Sequence, residues 1–331
     1  MTTSKRVVAS DTTPTLPRSS REEQLVTAAW LYHVGGRNQQ QVADRLGVSR
    51  ATVVRLLQDA LEEGIVEVRV TRLLPADVAL GLELEGALQR KRVRQVVVSD
   101  GEGKEAVARA TSQFLTRILN SDDIVGVGWS TTLALVDRVL PDAPPHRVVQ
   151  MVGSVGLGGL GDGYEIAVRL AREWNAAVAT LPAPVFVSDT IVAAALRSDH
   201  HVAATMGEFS SVTVAVVGVG TVTADSTMVA TGYLTAEELT QLAEDGAVCD
   251  VLGCYLDENG AEVESRLTGV RIGASLEDLR SRPSVVAVAA GQHKLAAVLG
   301  AVEARLIDTL IVDRELALAL RDHLLKAKHQ S

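Results

Sequence analysis

The chain has 331 residues, 47% of them hydrophobic but only 3% aromatic, and a net charge of −9. That length exceeds one ordinary domain, and a core so poor in rings has to be built from Val, Ala and Leu, as parallel strands buried on both faces are. No apolar run reaches the roughly 18 residues of a membrane span, and Cys249 and Cys254 form neither a disulfide framework nor a metal-ligand spacing, so we expect a reduced, cytoplasmic protein with no membrane partner, metal or cofactor.

Residues 1–20 carry charge, Thr and Pro but no apolar core of a signal peptide, and read as a disordered tail. Residues 21–34 place Leu25, Ala28, Ala29, Leu31 and Tyr32 at helical spacing, and Gly35-Gly36 ends that helix. Two more helical stretches follow, 39–46 and 49–63, and then residues 66–72 alternate like a short strand, a candidate wing. Residues 1–72 hold ten basic against eight acidic residues, a net of +2 that leaves −11 for the remainder. An acidic body repels phosphate, so any nucleic-acid contact has to come from this N-terminal segment.

The twenty residues from Gln39 to Gln58, QQQVADRLGVSRATVVRLLQ, have the pattern of a helix-turn-helix. Val42 and Leu46 face inward, Ala43 is small enough for a close helix crossing, and Gly47 supplies a turn where positive φ is cheap. Val48 anchors the turn, Ser49 caps the second helix, and Val53 and Leu56 face inward from it. An ordinary helical hairpin does not require Ala, Gly and Val at those spacings together. In the major groove the second helix would present Ser49, Arg50, Ala51, Thr52 and Arg55, the arginines to guanine or phosphate and the hydroxyls to phosphate or water.

Residues 73–92 form a Leu- and Glu-rich helical stretch, a candidate connecting and oligomerisation helix. From residue 93 the pattern becomes strand-helix alternation. Strands are predicted at 93–100, 123–129, 147–153, 176–187, 211–220, 247–257, 284–291 and 307–313, with helices at 104–120, 131–140, 163–174, 188–197, 293–305 and 314–327. That is the pattern of an α/β, doubly wound and mainly parallel sheet, with ligands beyond the carboxyl ends of its strands. The expected organisation is a tail over 1–20, a DNA-binding domain over 21–72, a connecting helix over 73–92 and a ligand-binding domain over 93–331.

Read together, WLYHVGGRNQQQVADRLGVSRATVVRLLQDALEEGIVEV near the N-terminus and VGVGWSTTL, LPAPVFV, VVGVGTV, CDVLGCYLDENG, GVRIGASLEDLR, VAVAAGQHKLAAVLGAV and IDTLIVD further on resemble the SorC family of sugar-responsive regulators, in order, over about residues 21–327. The resemblance implies an effector domain similar to sugar-phosphate isomerases and deaminases. It also implies regulation by a sugar, polyol or sugar phosphate, and a homo-oligomer (dimer or tetramer) on a palindromic double-stranded DNA operator.

The candidate effector residues lie at strand ends. Gly128, Ser130, Thr131 and Thr132 join a strand to a predicted helix, where backbone N–H groups and hydroxyls suit a phosphate or polyol; the same residues could simply cap the helix. Gly291 and Lys294 open another helix, and the resemblance implies a phosphate-reading lysine, although Ala290 stands where the family has a second glycine. Asp250 lies in an apolar stretch and needs partners, either sugar hydroxyls or nearby backbone. Glu165 is a hydroxyl acceptor or a surface acid at a helix start. The Gly-rich run 153–163 is a gating loop or a connector, and Asp189 a helix cap. The expected function is a regulator, repressor or activator, of carbohydrate or polyol catabolism; a sugar-phosphate isomerase or deaminase is the alternative, lacking an assignable acid-base set. A purely architectural DNA-binding protein fits the polar strand-end loops poorly.

Overall fold

A computed structural model describes residues 20–67, 75–136, 144–155, 161–224 and 226–330. The expected tail and most of the candidate wing (68–72) lie outside the described residues, as does the stretch 156–160 of the Gly-rich run. The chain divides into two compact units, residues 1–73 and 74–331.

The first unit is helical. Helix α1 (Arg21–Ala29) starts at a capping box in which Ser20 and Glu23 satisfy each other's backbone amides, and a wider turn over Trp30–Val34 prolongs it. Helix α2 (Gln39–Leu46) starts at a second such box, Asn38 with Gln41, and stops at Gly47, whose φ of 67° only glycine adopts readily. Helix α3 (Arg50–Glu62) is capped by Ser49. Leu25, Ala28, Val42, Ala43, Val53, Leu56, Leu57 and Ala60 form the core, with Leu46 and Val48 packed at its margin. Arg21 pairs with Asp59 and Glu63, each at 3.0 Å, an exposed clasp from α1 to α3 that contributes little.

The second unit opens with α4 (Ala76–Leu88). This helix buries Leu80, Leu84 and Leu88, and Gly81 lies so close that a Cβ would meet the Val96 carbonyl at 2.6 Å. The segment expected to be a connector is therefore a layer of the second unit, because its leucines have a strand to cover. In chain order there follow β1 (Gln95–Val98), α5 (Gly103–Ile118), β2 (Ile124–Val127), β3 (Arg147–Gln150), α6 (Gly163–Trp174) and β4 (Ala177–Ala179). Next come α7 (Thr190–Ser198), α8 (His200–Gly207), β5 (Val214–Gly218), β6 (Gly220–Thr221), α9 (Thr227–Ala230) and α10 (Ala236–Glu244). The chain continues through β7 (Cys249–Val251), β8 (Cys254–Leu256), α11 (Leu276–Arg280), β9 (Ser284–Ala289), α12 (Leu295–Glu303), β10 (Thr309–Val312) and α13 (Arg314–Gln330).

Among the described residues seven strands make one parallel sheet in the order β1-β10-β9-β5-β2-β3-β4. Alternate residues supply its two faces. Val125, Val127, Val214, Val216, Val286, Val288 and Ile311 pack on one side with Val107, Phe114 and Leu115 of α5 and Ile166, Leu170 and Trp174 of α6. Ala215, Val217, Val285, Ala287, Leu310 and Val312 pack on the other with α4, α12, α13 and a small second sheet. Where the strand amino ends meet, buried Asp308 accepts from Arg92 at 3.0 and 2.7 Å and from the Val285 amide at 3.0 Å.

The chain reverses its direction of travel across the sheet between β2 and β5, so that a crevice opens beyond their carboxyl ends. The small sheet β6-β7-β8, antiparallel, borders it. The sequence predicts one strand over 247–257; the structure folds it into a hairpin, turning at Leu252 (φ 55°) and Gly253 (φ 79°), the left-handed pair that a two-residue hairpin requires. The helix predicted over 131–140 is, in its described part, only a single tight turn over Leu133–Leu135, with 137–140 outside the described residues. The sequence pattern does not predict helices α8, α9, α10 and α11, although Thr235 with Glu238 and Ser275 with Asp278 form capping boxes for the last two.

Candidate functional site

Loops from four strand ends and the hairpin enclose an open cavity of about 150 Å³. The turn after β2 supplies Trp129, Ser130 and Thr131, and the end of β5 runs through Gly218, Val219, Gly220 and Thr221. The hairpin adds Asp250 and Tyr255, the segment after β9 adds His293 and Lys294, the first turn of α5, which follows β1, adds Lys104, and Ser226 and Met228 complete the wall. A cavity of this size holds a six-carbon ring, and its open mouth leaves room for a longer ligand. At Gly218 a Cβ would lie 2.7 Å from that of Ser130, so only glycine lets the β5 end pass so close to the β2 turn.

Its charge is cationic on balance. Lys104 and Lys294 face one carboxylate, Asp250, whose pKa is pushed up to about 6 by burial, against the opposing pull of the Gly253 amide and of Arg271 and Lys294. Asp250 accepts from the Gly253 N–H at 2.7 Å, and Lys294 Nζ donates to the Val219 carbonyl. The loops that present the two lysines share a support: the Gly103 and Gly291 amides both donate to Oδ2 of Asp313, 3.0 Å from each, while the Leu316 amide donates to its other oxygen at 3.1 Å. Asp313 is fully buried at the end of β10.

Of the residues expected from the sequence, Ser130, Thr131, Asp250 and Lys294 meet in this cavity. Ser130 also serves its own turn, its hydroxyl accepting from the Thr132 and Leu133 amides at 3.1 and 3.3 Å. Thr132 is buried and does not line the cavity, and the described chain behind it forms a single tight turn over Leu133–Leu135. Gly128 has a packing role: a Cβ there would meet Leu252 at 2.4 Å, so the missing side chain admits the hairpin turn. Gly291, at φ 93°, holds the loop through Asp313 rather than lining the cavity. Glu165 lies elsewhere, against a separate groove with Tyr164, Arg169 and Arg172, because α6 turns that position away from the strand ends. Arg197 and Arg271 line a second cavity of about 190 Å³ across the hairpin, and Asp189 caps α7 through the Ile191 and Val192 amides. Sequence reasoning missed Lys104, Tyr255 and Asp313, since only the pairing of β1 with β10 and the hairpin bring them in.

In the helical unit, Arg50, Ala51, Val54, Arg55 and Gln58 form the exposed face of α3. Ser49 and Thr52 spend their hydroxyls on each other at 2.9 Å and on the cap, whereas Arg50 donates, among the described residues, to Gln39 alone at 3.2 Å. Val54, 44% exposed, adds an apolar contact suited to a thymine methyl that the sequence reading did not single out. Beside it a shallow cleft gathers His33, Arg37, Asn38, Gln39 and Arg50 at the start of α2.

Residues 76–321 match a family model described as "Putative sugar-binding domain", and residues 16–72 match one of the MarR family. The chain is similar to the deoxyribonucleoside regulator of Bacillus subtilis (strain 168), 28% identical, with 91% of this chain and 97% of the relative covered. The transcriptional regulator LsrR of Enterobacter sp. (strain 638) is 28% identical, with 91% and 93% covered, and the erythritol catabolism regulatory protein EryD of Brucella abortus (strain 2308) is 26% identical, with 88% and 94% covered. Among solved structures, the full-length sorbitol operon regulator SorC of Klebsiella pneumoniae superposes with a TM-score of 0.69 at 23% identity, covering 90% of this chain and 98% of that one. A DeoR family transcriptional regulator from Listeria monocytogenes superposes at 0.67 and 24% identity, covering 74% and 100%. No helix among the described residues is long and apolar enough to cross a membrane.

Proposed function

The chain belongs to the sugar-binding family of SorC-type transcription regulators, and on that footing we propose that a phosphorylated sugar or polyol in the strand-end cavity sets its affinity for an operator. The observation that carries this reading is the convergence of Lys104 and Lys294 with the hydroxyls of Ser130 and Thr131 and the carboxylate of Asp250 in one cavity. The lysines suit a phosphate, and Asp250 and the hydroxyls suit the alcohols of the carbon chain. The names of the relatives, a deoxyribonucleoside regulator and an erythritol catabolism regulator, belong to the same chemistry.

In this reading α3 enters the major groove with Arg50, Ala51 and Arg55 toward base edges, Ser49 and Thr52 near phosphate, and the cleft at Arg37 on the neighbouring backbone. The protein acts in the cytoplasm as a homo-oligomer on a palindromic site, with residues 21–72 for DNA and the second unit, α4 included, for the effector, and controls carbohydrate or polyol catabolism. The effector acts by binding one subunit arrangement better than another. The site is read as a binding site, not a catalytic one.

The test is a thermal-shift screen of sugars, polyols and their phosphate esters, followed by fluorescence anisotropy on DNA from the regulator's own promoter. A ligand at one hundred times its Kd stabilises by about 2.7 kcal/mol, several degrees of melting temperature. A stabilising phosphate ester that also changes DNA affinity supports the reading. Stabilisation by free polyols alone shifts the weight from the lysines to Asp250. Silence across the panel, or turnover of any member by the pure protein, overturns it.

A further inference from the structure

We propose that the hydroxyl of Tyr255 is a second reader of effector hydroxyls, paired with Asp250 and left without a protein partner so that the ligand can supply one. The proposal rests on the reading of the strand-end cavity as the effector site. Asp250 and Tyr255 face each other directly across the β7–β8 ladder, so their side chains share one face of the hairpin, and both line the cavity. The phenol is 3% exposed, and its oxygen meets no hydrogen-bond partner. Two other buried polar atoms among the described residues lack a hydrogen bond, Asp77 Oδ1 and Arg147 Nε, but each lies within an ion pair, with Arg314 at 3.2 Å and Glu208 at 3.0 Å. Tyr255 has no such compensation.

A buried hydroxyl left unpaired is costly, and a Phe would fill the same space without that cost. The ring also separates the effector cavity from the second cavity lined by Arg197, Glu262 and Arg271, so it forms a wall common to both. Burial, and after it the nearby charge of Asp250, raises the pKa of the phenol, so the group keeps its proton. The oxygen is already stripped of water, so an arriving alcohol meets a dehydrated donor; reaching it requires the side chains that cover it to give way. A site of this kind discriminates strongly against a ligand lacking that hydroxyl.

The test uses the full-length protein, its Tyr255→Phe variant, and two ligand pairs that differ in one hydroxyl: ribose 5-phosphate with 2-deoxyribose 5-phosphate, and glucose 6-phosphate with 2-deoxyglucose 6-phosphate. Melting temperature without ligand and Kd by calorimetry are read for each. The proposal expects the ligand-free variant to melt at the same temperature or higher. It also expects about tenfold weaker binding of the hydroxylated ligand, and a wild-type preference over the deoxy partner that collapses in the variant. A fall of several degrees in the ligand-free variant means that the hydroxyl has a structural partner and overturns the proposal. Unchanged affinity overturns it too, while leaving the cavity reading intact. If neither pair binds the wild-type protein, the sugar-phosphate reading fails first and this inference with it.

Discussion

The amides of Gly103 and Gly291, far apart in the sequence, donate to the same oxygen of Asp313, each at 3.0 Å. One buried carboxylate at the end of β10 thereby fixes the two loops that carry Lys104 and Lys294. Hydrogen bonds to a charged acceptor contribute about 1.5–3 kcal/mol apiece. Replacing Asp313 with Ala is expected to lower stability by about 3 kcal/mol or more and to weaken effector binding at least tenfold. Calorimetry on the folded variant separates the two effects; full-strength binding after loss of Asp313 would show that the loops are held by other means.

Lys294→Ala and Lys104→Ala should each weaken a phosphate ester at least tenfold, while an uncharged polyol keeps its affinity. Both side chains lie at the cavity wall, and a charge-assisted hydrogen bond is worth about twice a neutral one. Equal losses for charged and uncharged ligands would show that the lysines shape the cavity instead of reading the anion.

Operator affinity should fall by about 1–3 kcal/mol on Arg50→Ala or Arg55→Ala with an unchanged melting temperature. Both arginines are exposed on α3, and among the described residues Arg50 is tied only to Gln39. Anisotropy titrations on operator and on unrelated DNA separate base reading from phosphate contact: a uniform loss on both assigns the side chain to the backbone.

The pH dependence of Asp250 has a definite sign. Burial raises its pKa to about 6 from 3.8, so the folded protein binds the proton more tightly than the unfolded chain does. The contribution is fully present below pH 3.8 and is lost as pH rises through about 6. The loss is on the order of 3 kcal/mol at about 1.4 kcal/mol per pH unit. Asp250→Asn should flatten that part of the stability profile. A neutral polyol, which donates to the ionised carboxylate, should bind wild type better at pH 7 than at pH 5 and the variant equally at both, as calorimetry at the two pH values would show.

At the opposite, amino end of the strands, Arg92→Ala strands the buried carboxylate of Asp308, which now takes two bonds from that guanidinium. Removing one partner of a buried pair costs about 3–5 kcal/mol. Chemical denaturation should show a loss of this size with DNA binding by the first unit preserved; a loss below 1 kcal/mol would show that Arg94, 3.6 Å from the same carboxylate, takes over.

The helix-turn-helix was legible because its constraints are local: Ala43, Gly47 and Ser49 each act within a turn of where they stand. Ser130, Asp250 and Lys294 could be picked out because strand ends are where a parallel sheet gathers its ligands. Lys104, Tyr255 and Asp313 were not, since their place depends on β1 lying beside β10 and on a hairpin whose turn puts Leu252 at φ 55°, a value that gives no signal in a leucine. Gly128 and Glu165 misled for a related reason. A glycine at a strand end serves packing as well as ligand approach, and a carboxylate in a first helical turn can face any of several directions.

The pairing of β1 with β10 has a consequence during synthesis. The first strand of the sheet waits, its edge unpaired, until almost the whole chain has left the ribosome, and Asp313 arrives later still. The helices of the first unit, by contrast, bury a core of their own. A polypeptide cut short before β10 is therefore expected to keep the buried core of its first unit while leaving both lysine-bearing segments without their shared anchor.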